Sequence, residues 1–133
     1  MDKETIIQGR FALIDCYFFK ASEVWHLVFE DNLRVQVECF WRLLENGRIK
    51  WTSKDHGQLY AHKTPINLET ELRKSLLEEK LATIQRNVNT GDLYLGFEND
   101  FTVEILTDSS GYECWSIING DECIYGLGRG EKV

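Results

Sequence analysis

The chain lacks a C-x-x-C pair, a nucleophile elbow, a GxGxxG loop and any apolar run long enough to cross a bilayer. Each absence excludes a class of chemistry. Cys16, Cys39, Cys114 and Cys123 sit singly within apolar strand patterns. That placement fits free thiols in a cytosolic protein better than a disulfide framework or a zinc site. The first apolar stretch, Phe11 to Phe19, is broken by Asp15 and is too short to span a membrane. With no basic flank and no cleavage-type end, it is not expected to be a signal peptide. Ser109-Ser110-Gly111 has no histidine near it in sequence. Gly126-Leu-Gly-Arg-Gly130 has the wrong spacing for a phosphate loop. Only three residues follow it, so no helix N-terminus can complete one, and it reads as a flexible end. His56 and His62, with Asp55 nearby, match no zinc-ligand spacing, and His26 alternates with core residues. Without an acid–base or nucleophile constellation, the expectation is a protein that is not an enzyme and takes no cofactor or metal.

Basic residues are also missing, but only from one end. Residues 1–91 hold 13 acids and 13 bases, whereas residues 92–133 hold nine acids and only Arg129 and Lys132 as bases. The whole net charge of −7 therefore lies in the last third. Such asymmetry argues against nucleic acid or an anionic membrane as partner and permits a basic protein.

What is present is strand pattern, stated nearly twice. Phe29-Glu-Asp-Asn-Leu-Arg-Val-Gln-Val lies over Phe97-Glu-Asn-Asp-Phe-Thr-Val-Glu-Ile at an offset of 68. Trp41-Arg-Leu lies over Trp115-Ser-Ile at an offset of 74, so the second copy carries six extra residues. The extra length falls within Thr107–Glu113, TDSSGYE, read either as a corner between strands or as a polar loop presenting a recognition surface. Apolar residues recur at every second position through Trp25–Phe29, Leu33–Trp41, Leu93–Phe97 and Phe101–Ile105. Asn46-Gly47 signals a tight hairpin turn to a return strand, Arg48 to Thr52. Between the copies, Asn67 is a helix N-cap candidate and Leu68, Leu72, Leu76 and Leu77 form one stripe, predicting an amphipathic helix over about 67–80.

These patterns predict a single α+β, mostly β domain over residues 1–133, with repeats at about 11–52 and 81–125. Each repeat is expected to be an antiparallel meander of about four strands. The two would pack as a sandwich or as one strongly bent sheet, with the helix connecting them. Parity sharpens this expectation. For Phe29 and Leu33 to share the core, their loop must hold an odd number of residues, namely Glu30-Asp31-Asn32, and likewise Glu98-Asn99-Asp100. Trp25, Trp41 and Trp115 fall in strand patterns and are expected in the core.

Within GDLYLGFENDFTVEILTDSSGYECWSI, residues Gly91, Asp92, Leu93, Leu95, Phe97, Val103 and Ile105 form a strand-rich motif that ends in Gly111-Tyr112-Glu113, Trp115 and Ile117. This stretch resembles a group of small bacterial proteins in the immunity repertoire that accompanies secreted polymorphic or contact-dependent toxins, the wall-associated type among them. The resemblance covers the second copy directly and the first only through the repeat. It implies a cytoplasmic, non-enzymatic partner-binding protein that neutralises a cognate toxin. The acidic half supplies the candidate surface: Glu98, Asp100, Glu104, Asp108, Glu113, Asp121 and Glu122, meeting a basic cleft such as that of a nuclease domain. The alternative expectation is a small-molecule module with a pocket between the two meanders.

Overall fold

A computed structural model describes residues 2–133. Ten strands and one helix follow in the order β1 (Lys3–Phe19), β2 (Val24–Phe29), β3 (Leu33–Val37), β4 (Phe40–Glu45), β5 (Arg48–Thr52), α1 (Leu68–Leu76), β6 (Lys80–Asn87), β7 (Leu93–Phe97), β8 (Phe101–Leu106), β9 (Trp115–Asn119) and β10 (Glu122–Gly126). All ten strands join one antiparallel sheet, in the order β10-β9-β3-β2-β1-β6-β7-β8-β4-β5. The protein is mostly β with a single α-helix, and the sheet stays open, with β10 and β5 at its edges.

β2 and β4 lie five steps apart in this order, which in a flat sheet would be roughly 24 Å at the usual strand spacing. Their rings nevertheless meet: Trp25 and Trp41 stack edge-to-face with centroids 5.2 Å apart. Phe29 of β2 and Phe97 of β7 are 6.1 Å apart. The sheet is therefore bent until its inner faces touch, and one apolar core fills the fold. The bend is centred on β1, whose 17 residues carry register shifts between Thr5 and Ile7, Gln8 and Phe11, and Leu13 and Asp15. Such bulges curve a strand and swap which face its side chains occupy. They also explain why Thr5–Gly9 shows no clean strand alternation yet is strand: its alternation is broken by bulges rather than by a turn.

The expected four-stranded meanders need correction. β1-β2-β3 and β6-β7-β8 are three-stranded meanders, and the hairpin that follows each one crosses to the other. β4–β5 pairs with β8, and β9–β10 pairs with β3. Adding five to each strand number reproduces the sheet order read from the opposite edge. The halves still differ. β6 has 8 residues against 17 in β1, and the link between β8 and β9 is much longer than that between β3 and β4. Neither half closes its own core, which is a physical reason for the exchange.

Both odd-membered hairpin loops are present. Val28 opposes Arg34 and Gly96 opposes Thr102, leaving three-residue loops at 30–32 and 98–100. Asn32 and Asp100 sit in the left-handed region, at φ 59° and 67°, as does Asp31 at φ 60°. Phe29 and Leu33 are both buried.

The helix starts as expected and stops early. Asn67 Oδ1 accepts a hydrogen bond from Thr70 N at 3.2 Å, and Leu68, Leu72 and Leu76 are buried. It ends at Leu76 rather than near residue 80. Glu78 N donates to Leu13 O and Leu13 N donates to Glu79 O, so pairing with β1 captures the backbone there. Leu77 is thereby turned outward, 42% exposed. The C-terminal segment also departs from expectation. Arg86, buried, donates to Gly130 O and pairs with Glu4. Gly126 lies flat against the Trp115 ring, where a Cβ would collide with it. That glycine-rich segment is a packed strap.

Candidate functional site

The site is built where the two halves exchange hairpins. Val37 at the end of β3 pairs with Trp115 at the start of β9, while Leu106 at the end of β8 pairs with Phe40 at the start of β4. The link Glu38-Cys39 and the link Thr107–Cys114 must therefore pass each other at one place. Backbone bonds pin the crossing: Glu38 N donates to Cys114 O at 2.9 Å, and Phe40 N donates to Asp108 Oδ2 at 3.0 Å. Cys39 Sγ donates to the same Cys114 carbonyl at 3.1 Å. Connections in protein sheets rarely cross, so this region must be specified by side chains, and the six inserted residues supply the length it needs.

The inserted loop is braced from within and from below. Ser109 Oγ accepts from Gly111 N and Tyr112 N, both at 3.0 Å. Arg129 N donates to Ser109 O, which ties the C-terminal strap to the loop. The result is Tyr112 held 80% exposed at the loop apex. Glu113 stands beside it, and Tyr125 of β10, 40% exposed, reaches the same neighbourhood. Glu38 completes the patch from the other link. Burial, and behind it the Glu113 charge, hold the Glu38 carboxyl above the usual glutamate range.

Six of the seven acids expected to form one surface fall into three groups. Asp108 and Glu113 lie at the crossing. Glu98 and Asp100 lie at the β7–β8 tip, beside the β4–β5 turn, where Asn46 N donates to Asp100 O. Asp121 and Glu122 lie at the β9–β10 tip, beside Asp31 and Asn32 of the β2–β3 loop, where Gly120 N donates to Asn32 O. Glu104 belongs to none of these. It sits directly opposite Arg42 in the sheet, is paired with it, and has a side chain only 15% exposed. Glu104 was expected to point to solvent because it alternates with core residues. The sheet instead places a base from the first half across from it. Glu98 is exposed but likewise paired, with Arg10 at 2.7 and 3.1 Å. Among the described residues, no ion pair involves Asp100, Asp108, Glu113, Asp121 or Glu122. Sequence reasoning missed Glu38, Tyr112 and Tyr125 as members of the patch. The insertion signalled Tyr112, but nothing local could place Glu38 and Tyr125 beside it.

The interior space between the halves, where a small ligand was the alternative expectation, is a void of about 10 Å³ lined by Trp25, Leu27, Val37, Trp41, Leu72 and Val103. That is room for at most one water molecule. Cys16 lies in the core, and burial pushes its thiol up to about 12. Cys39 is pushed up by burial as well. No helix among the described residues is long and apolar enough to cross a membrane. Comparisons with protein-family models, curated proteins and solved structures find no match to this chain.

The hairpin loops carry their own pH dependence. Arg10's hydrogen bonds hold the Glu98 carboxyl below the usual range. Glu30 is held low first by the Ala12 N–H that it accepts at 2.8 Å, and then by Lys80. A carboxyl depressed in the folded state stabilises it above the ordinary glutamate pKa, and that contribution is lost as pH falls through the depressed value. Urea unfolding measured stepwise below pH 5 should therefore show stability falling. Glu30→Gln with Glu98→Gln should flatten that slope. An unchanged slope would mean that these contacts persist equally in the unfolded chain.

Proposed function

We propose that this chain is a non-enzymatic, cytoplasmic immunity protein that neutralises a cognate bacterial toxin by covering a basic cleft. The observation that carries the proposal is the patch at the crossing, where an 80% exposed tyrosine stands on a loop whose backbone Ser109 braces, with Glu38, Glu113 and Asp108 on the same crossing links. Tyrosine is a favoured interface anchor, because its large amphipathic ring is ordered through only two side-chain torsions. The unpaired acids suit a basic partner such as a nuclease domain, with complementary charge speeding encounter. The resemblance of the Gly111-Tyr112-Glu113 segment to immunity proteins supports the same reading, since that segment forms the apex of the loop.

The test is co-expression with the variable C-terminal domain of the large toxin expected from the neighbouring upstream gene. Growth should be restored, and the two chains should co-purify as a stable complex. An upstream gene encoding no such toxin, or a toxic domain that this chain neither binds nor neutralises, would sink the proposal.

A further inference from the structure

The crossing also gathers three metal-type donors from two separate links. Cys39 comes from the short link, and Asp108 and Cys114 come from near the two ends of the long one. Their donor atoms, two sulfurs and a carboxylate oxygen, all lie within 4.8 Å of one another. Zinc–thiolate bonds of ~2.3 Å at tetrahedral angles place two sulfurs roughly 3.8 Å apart, so the donors need draw in by only about 1 Å. We propose that Cys39, Asp108 and Cys114 form a site for a borderline-soft divalent cation of the zinc class, with its fourth position open to solvent.

The donor chemistry selects the ion. Two thiolates exclude magnesium and calcium, and a carboxylate with two sulfurs suits zinc. The surroundings fit as well. Phe40 N donates to Asp108 Oδ2, fixing the carboxylate in the way an outer-shell partner orients a ligand. Cys114 is buried, Cys39 half-buried and Asp108 exposed, so an ion has an entry path past the aspartate. A bound ion would clamp two links whose cysteines are 75 residues apart, at the point where the halves exchange hairpins. The two sulfurs alone could instead join as a disulfide, an outcome that the test below separates from metal binding. Asp108 belongs to the docking patch as well, but the test of the metal site needs no partner, so the two proposals fail separately.

Cobalt(II) titration of the reduced, metal-free full chain tests it. One equivalent should produce a thiolate-to-cobalt charge-transfer band together with the intense visible bands of tetrahedral cobalt. Zinc should bleach both, and the zinc-loaded chain should melt higher. Cys39→Ser and Cys114→Ser should each abolish the charge-transfer band or reduce it strongly. Asp108→Asn, at an exposed position, should leave the fold intact and weaken cobalt binding by at least about tenfold. Cys123→Ser should change nothing. The proposal is overturned if the reduced chain gives no thiolate–cobalt band, or if Cys123→Ser removes the band while Asp108→Asn retains full affinity. A Cys39–Cys114 disulfide found by mass spectrometry together with no cobalt band would likewise overturn it, assigning the pair to redox chemistry.

Discussion

Trp115→Ala should lower the free energy of unfolding by about 3–5 kcal/mol, the cost of deleting a large buried aromatic. Trp115 is 1% exposed, and its Nε1–H donates to Gly91 O at 2.8 Å. Removing it opens a cavity beneath Gly126, which packs on the ring, and frees the strap that buries Arg86. Trp41 is as deeply buried, at 2%, but its Nε1 has no hydrogen-bond partner among the described residues. Trp41→Ala should therefore cost a similar amount through lost packing alone, against Trp25 and the core residues around it. The two tryptophans separate under a milder change. Trp115→Phe leaves a buried carbonyl unpaired and should cost about 1–3 kcal/mol more than Trp41→Phe, which removes an unsatisfied donor. Urea unfolding of the four variants measures this. Equal losses for the two phenylalanine variants would show that the Trp115–Gly91 bond contributes nothing net.

Reversing Glu38 and Glu113 to lysine should slow association with the cognate toxin by about tenfold or more at low salt, with the difference shrinking as salt rises. This expectation rests on the proposed immunity role. Glu38 and Glu113 are the acids to reverse because both are exposed and neither is in an ion pair among the described residues, so replacing both should leave the fold intact. The acids singled out by sequence alone are less suitable. Glu104→Lys would set a lysine against Arg42 at a partly buried position, and Glu98→Lys would break the bidentate contact with Arg10. Loss of binding by either variant could then reflect damage to the sheet. Stopped-flow mixing at low and high salt gives the comparison. Identical association rates for wild type and the double variant would remove the electrostatic case for a basic partner.

The local features were readable in sequence because each depends on a few neighbouring residues. Strand alternation placed Phe29, Leu33, Val103 and Ile105 in the core, parity set both hairpin loops at three residues, and Asn67 with its leucine stripe started the helix. Where the reading failed, a distant partner intervened. β1 bulges where it turns between two neighbours, so its alternation is broken and Thr5–Gly9 carries no strand signal. The helix ends at Leu76 because β1, 63 positions earlier at Leu13, captures the backbone of Glu78 and Glu79. The terminal glycines looked flexible because nothing near them shows that Trp115 and Arg86 lie beneath.

Sequence by itself determined the fold class, the hairpin geometry and the one-sided charge, since these follow from periodicity, loop parity and residue counts. Only the tertiary structure decided which charges remain free and which donors meet. Arg42 neutralises Glu104 as its direct sheet partner, and Arg10 reaches across to neutralise Glu98, each base coming from the other half. Glu38, Tyr112, Glu113 and Tyr125, like Cys39, Asp108 and Cys114, converge because the two halves trade hairpins and their links must cross. Neither half can close its core alone, so the crossing belongs to the whole chain and no local stretch of residues encodes it.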